Sequence, residues 1–229
     1  MKDRGIARFS ILILFLILSY RVASAQTNRI IVVPIEDTTL VDCHVGATLF
    51  SNSVKPLNIN IPMAKYIENK LNEYLSTKYE VTIACPPAEI TRKAYGFLEK
   101  SKEFKSWLNE KQKSFDIVIL IRNIDIRNEL MNAPIPTGTS GFYRRGRMHG
   151  VYTTISFQAY RVSNGETFEY YESHKAFSII KNIKLPKGKE EFDESSLHLI
   201  EEEMYKLQDS RIKYFLGNTY LIPELKGLK

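Results

Sequence analysis

The sequence predicts a mixed α/β fold in a single domain: one five-stranded mixed sheet in the order β-α-β-α-β-β-β-α, with helices packed on it. Three observations predict it. Two short, nearly continuous apolar runs, Arg29–Glu36 and Ile117–Ile121, read as strands covered on both faces. Stretches with apolar residues at helical spacing lie between and after them. An Asn-Gly pair at 164–165, flanked by alternating segments, marks a hairpin, because both residues accept the positive φ of a type I′ turn.

The elements follow in order. The first strand spans 29–36 (RIIVVPIE). Residues 37–60 lack sustained periodicity and carry Gly46, Pro56 and several Asn and Ser, so a long loop is expected there. Pro62 suits a first helical turn, where its missing N–H is not needed. Met63, Ile67, Leu71, Tyr74 and Leu75 then continue a helix to about Thr77. Tyr79–Ala84 alternates and is β-branched, which argues a strand. After Pro86-Pro87, one apolar stripe holds Ile90, Ala94, Phe97 and Leu98, and a second holds Phe104, Trp107 and Leu108. Gly96 and Ser101 between them suggest a kink or two consecutive helices. Asp116–Arg127 is the central strand. Residues 128–149, rich in Gly, Pro and Arg, read as a second long loop. Strands at 151–162 and 167–180 form the hairpin, Asp193 is placed to cap a last helix, and Gly217 to end it.

Composition bounds the function. A basic segment (Lys2, Arg4, Arg8), an apolar run from Phe9 to Leu18 and the small residues of Ala23-Ser24-Ala25 read as a cleavable signal peptide over 1–25. The run is about half the length a helix needs to cross a bilayer, so no stable membrane span is expected after cleavage. The protein is then periplasmic or secreted, with a bacterial envelope favoured by the absence of N-x-S/T sequons. Net charge falls from +6 to +3 when 1–25 is removed, which gives no claim to nucleic acid. Cys43 and Cys85 are an even pair in an oxidising compartment. A disulfide between them would close a loop of about 40 residues and stabilise by about 2–4 kcal/mol; the alternative is two separate thiols.

On this pattern the chain resembles a family. A strand of the form I-V-V-P-I is followed by helix, strand and helix. A strand on Asp116-Ile117-Val118-Ile119-Leu120, a hairpin turning at Asn164-Gly165-Glu166-Thr167 and a closing helix complete the pattern. This arrangement is similar to the small α/β domain of the TolB amino-terminal domain, the curli secretion-channel protein and periplasmic activators of penicillin-binding proteins. The resemblance implies a docking or assembly module, not an enzyme, and transfers no catalytic residues. The lipobox Cys of many such relatives is absent near the cleavage site.

Candidate sites follow from residue chemistry. Gly138–Gly150 (GTSGFYRRGRMHG) combines glycines with Phe142, Tyr143, Arg144, Arg145 and Arg147. Arginine forks and aromatic faces are enriched where proteins grip partners, so an exposed loop carrying them would contact another envelope protein. Asp37, Asp42 and His44 follow the first strand, at the carboxyl edge where open α/β sheets bind ligands. They are the alternative: a site for a small molecule or cell-wall fragment. No metal or cofactor is expected, since no ligand spacing supports one. A nucleophilic elbow and an H-E-x-x-H pair are both absent, so an exported hydrolase ranks third.

Overall fold

A computed structural model describes residues 28–34, 39–47, 51–93, 101–112, 114–126, 130, 135–136, 138–163, 166–171, 175–186 and 191–226. The expected signal peptide and Asp37 lie outside the described residues.

The mixed α/β class and the five-stranded mixed sheet are both present. Strands β1 (Arg29–Val33), β4 (Glu80–Ile83), β5 (Ile117–Asn123), β8 (Ile155–Ser163) and β9 (Glu166–Tyr171) form it in the order β4-β1-β5-β8-β9. The first three run parallel, and β8 and β9 add antiparallel beside β5. Ser163 faces Glu166 in the register, so the hairpin forms where the sequence places it, though its two central residues are not among those described. Ile30 to Val33 and Ile117 to Ile121 are buried without a break, which is why these strands read as apolar runs.

A second five-stranded sheet has no counterpart in the sequence-based expectation. It contains β2 (Thr39–Val45), β3 (Ser53–Pro56), β6 (Thr139–Arg145), β7 (Met148–Thr153) and β10 (Phe177–Ile179), in the order β10-β7-β6-β2-β3. The stretch expected as a loop over 37–60 therefore holds β2 and β3. The loop expected over 128–149 holds β6 and the start of β7. The strand expected at 151–162 starts earlier, at Met148, and breaks at Thr154, leaving one sheet for the other. The strand expected at 167–180 likewise divides between β9 and β10.

Thr154 joins the sheets. Its hydroxyl lies 2.8 Å from the Thr139 carbonyl oxygen and 2.9 Å from Asn123 Oδ1, and its own carbonyl accepts the Ile124 N–H at 2.7 Å. These bonds satisfy backbone and hydroxyl groups that are almost fully buried where the chain changes sheets.

Helix α1 (Met63–Leu75) buries Met63, Ile67, Leu71 and Leu75, the i, i+4 stripe seen in the sequence. The next helical stretch is two helices, α2 (Ala88–Lys93) and α3 (Lys102–Gln112). Phe104 and Leu108 of α3 pack with Ile31, Val33, Val118 and Leu120 on one face of the first sheet. Trp107 stacks on Phe104 at 5.8 Å and belongs to that core. The 25-residue helix α4 (Glu194–Asn218) is capped by Asp193, whose side chain accepts the Ser196 N–H at 2.9 Å. Along with α1, it closes the main core between the sheets. Ile30, Ile119 and Phe157 come from the first sheet, Phe142 and Val151 from the second, and Ile200, Met204 and Phe215 from α4. The tail after α4 docks through Leu221 and Ile222, and Tyr79 donates its hydroxyl to the Leu221 carbonyl at 3.0 Å.

Candidate functional site

The second sheet brings together residues from both candidate segments of the sequence. Strands β2 and β6 run parallel, Asp42 opposite Phe142 and His44 opposite Arg144. On the flanks, Lys55 of β3 lies opposite Asp42, and His149 of β7 lies opposite Arg144. Residues opposed in register share a face. Asp42, His44, Lys55, Arg144 and His149 therefore form one polar group on the face whose Phe142 and Val151 pack toward α4.

At its centre Arg144 Nη2 donates to Asp42 Oδ2 at 2.8 Å, across 102 residues of chain. The two side chains keep 17% and 11% of their surface exposed. Burial pushes the Asp42 carboxyl above its usual range, and the neighbouring charges of Arg144, His44 and Lys55 offset that only in part. Three buried polar atoms of the group make no hydrogen bond among the described residues: Asp42 Oδ1, Arg144 Nε and His149 Nδ1. Such atoms are costly to leave unmade. Among the described residues, the unpartnered buried side-chain atoms of the second sheet all belong to this cluster.

The hairpin tip extends the positive charge. Gly146 has φ +57° at the first central position between Arg145 and Met148, as a type II′ turn requires. Arg145 and Arg147 are exposed there, Arg145 within reach of the Tyr143 hydroxyl.

Several expected site residues are placed otherwise. Phe142 and Tyr143 are fully buried and cannot contact a partner. Strand alternation sends Phe142 to the main core, edge-on to Phe192 at 5.1 Å. It sends Tyr143 to the opposite face, against Phe177 at 5.7 Å. Adjacent aromatics that suggested a gripping loop are thus a strand buried on both faces. The disulfide is not formed: Cys43 and Cys85 are free thiols, Cys43 buried on the outer face of the second sheet and Cys85 exposed just past β4 of the first. Burial, reinforced by the Asp42 charge, pushes the Cys43 thiol up to about 11.

No protein-family model matches the chain, and no curated protein matches it significantly. A 1.65 Å structure of the hypothetical protein CT253 from Chlamydia trachomatis is similar at a TM-score of 0.44 and 8% identity, over 86% of this chain and 99% of that one.

Lys55 and His149 had not been singled out in the sequence. The alternation of Val41, Cys43 and Val45 around Asp42 and His44 is a strand signal that could have placed the first half of the group. Nothing local marks its partnership with β6. Among the described residues no three His, Cys, Asp or Glu side chains are grouped as metal ligands, and Arg144 and Lys55 give this group the charge of an anion site. None of the helices among the described residues is long and apolar enough to cross a membrane.

Proposed function

We propose that the chain is an exported, non-enzymatic docking module of the cell envelope, which takes an acidic partner protein on the cationic end of its second sheet. One observation carries this reading: the charged groups that act on the Asp42 carboxylate are Arg144, His44 and Lys55, with Arg147 exposed at the adjacent tip. Complementary charge steers association and selects partners more than it adds affinity. The resemblance to exported docking domains supports the same class. The test is capture of crosslinked partners from envelope by the tagged protein and by a Lys55→Glu/Arg147→Glu double variant. Both positions are exposed, so the fold is expected to survive. Capture should fall with rising salt and vanish with the variant; equal capture by a folded variant would end the proposal.

The unpartnered atoms of Asp42, Arg144 and His149 favour a second reading, a small anionic molecule or cell-wall fragment at the same place. It expects a melting temperature that rises with low-molecular-weight envelope fractions.

A further inference from the structure

We infer that the free edge of β4 pairs with β4 of a second copy of the chain, joining two first sheets into one continuous sheet across a two-fold axis. The proposal goes beyond the docking reading, which concerns the second sheet.

Backbone parity defines the edge. β4 ends the order β4-β1-β5-β8-β9 and, among the described residues, pairs with β1 alone. Glu80 and Ala84 donate their N–H groups to the Asn28 and Val32 carbonyls at 3.3 and 3.0 Å. Backbone groups of successive residues point to opposite sides of a strand, so the even-numbered residues of β4 face β1. Val81 and Ile83 therefore turn both N–H and C=O outward, where no described residue pairs with them. Glu80, Thr82 and Ile83 are exposed, and Ile83 keeps 40% of its surface in solvent.

The other edges are blunted, as natural sheet edges usually are. In β3 the Leu57 N–H bonds the Leu40 carbonyl at 2.9 Å, which turns Val54 and Pro56 outward, and Pro56 has no N–H to offer. β10 is three residues long, with Lys175 and Lys181 exposed on its flanks. β9 carries Glu166 and Glu169. In β4, Val81, Thr82 and Ile83 are uncharged, and both outward residues can donate and accept.

The strand is its own complement. Antiparallel pairing centred on Thr82 sets Val81 opposite Ile83 of the second copy, and Ile83 opposite its Val81. These are hydrogen-bonded pairs that satisfy every outward group of the two residues and bring apolar side chains together. Thr82 meets its own copy in the non-hydrogen-bonded position between them, where a Thr–Thr contact is favourable. Glu80 falls opposite Ala84, so no like charges are opposed. Centred on Val81 instead, the pairing would set Ile83 against Tyr79, whose N–H is already given to the Leu75 carbonyl at 2.9 Å. Pro86-Pro87 ends the pairable stretch, and the two-fold arrangement closes on itself.

The test is sedimentation velocity over a concentration series, on the protein without residues 1–25, as the expected cleavage leaves it. Strands this short bury less than a standard interface, so a reversible, concentration-dependent dimer is expected. Ile83→Pro spares the bonds to β1 and removes an outward donor from each copy, which should weaken dimerisation by about tenfold or more. Ile83→Lys sets a charge against Val81 of the second copy; it should act in the same direction and replaces the proline variant if that one does not fold. Thr82→Cys in a Cys85→Ser background should cross-link into a disulfide dimer on mild oxidation. Glu80→Cys in the same background should not, since residue 82 is the one that faces its own copy. A protein that stays monomeric throughout, a folded Ile83 variant that dimerises as tightly as the wild type, or no more cross-linking at 82 than at 80 would each overturn the inference. None of these outcomes bears on partner capture by the second sheet, which is judged by Lys55→Glu/Arg147→Glu.

Discussion

The two sheets each have five strands, but different forces hold them. In the first, the central strands β1 and β5 are apolar on both faces, with helices supplying cover: Ile30 and Val32 look toward α1 and α4, Ile31 and Val33 toward α3. In the second, the central strand β6 opens with Thr139, Ser140 and Gly141, all buried. Ser140 Oγ donates to Thr153 Oγ1 at 3.1 Å, and the Thr139 and Tyr152 hydroxyls lie 3.0 Å apart. One sheet is stabilised by apolar mass. The other depends on small residues, close approach and satisfied hydroxyls, which tolerate far less change in shape.

Gly141 is where that contrast breaks most sharply. Its φ is +140°, and a Cβ there would sit 2.2 Å from the Val41 carbonyl oxygen of β2. Gly141→Val should therefore cost about 4 kcal/mol or more, or unfold the protein outright. Ile119→Val, in the middle of the first sheet, should cost about 1 kcal/mol. Chemical denaturation of both variants checks the pair. Similar losses would mean that the second sheet is as forgiving as the first.

The cysteines give a comparison in rate. Cys43, fully buried with its thiol pushed up to about 11, should resist alkylation in the native protein, whereas exposed Cys85 should react at once. Mass spectrometry should find one label before denaturation and two after it. No label under either condition would restore the disulfide.

Thr154 measures how far the sheets act as one. Thr154→Val keeps the shape and removes a hydroxyl lying between Thr139 and Asn123, so a loss of about 1–2 kcal/mol is expected. If one cooperative transition splits into two, the hydroxyl also couples the sheets.

The same contrast explains what was legible. The first sheet could be read strand by strand, including the parallel trio and the antiparallel pair beside it, because each strand carries its own apolar signal. Helix α1 showed its i, i+4 stripe, and Asp193 its cap. The second sheet is assembled from pairings between distant segments, β2 with β6 above all, and local pattern does not encode them. Glycines 138, 141 and 146 looked like loop flexibility; two of them instead serve a close strand approach and a two-residue turn. Asp42, His44 and Arg144 were recognisable as candidates one by one. That they belong to a single group depends on a register that only the fold supplies.

The smallest expected effect concerns two carboxyls with opposite signs. Hydrogen bonds from Ser196 hold Asp193, at the N-terminus of α4, below the usual range. Its stabilisation is present above the unfolded pKa and is lost as pH falls through the lowered folded value. Asp42 is raised by burial despite its cations, so its contribution is full below the ordinary carboxylate value and is lost as pH rises through the folded one. Relative to Asp42→Asn, the wild type should thus lose stability between acid and neutral pH, while relative to Asp193→Asn it should gain. A wild type that gains over Asp42→Asn as pH rises would mean that Arg144 outweighs burial. The pair would then be a stabilising salt bridge of the second sheet, and the case for unmet hydrogen-bonding capacity at this site would weaken with it.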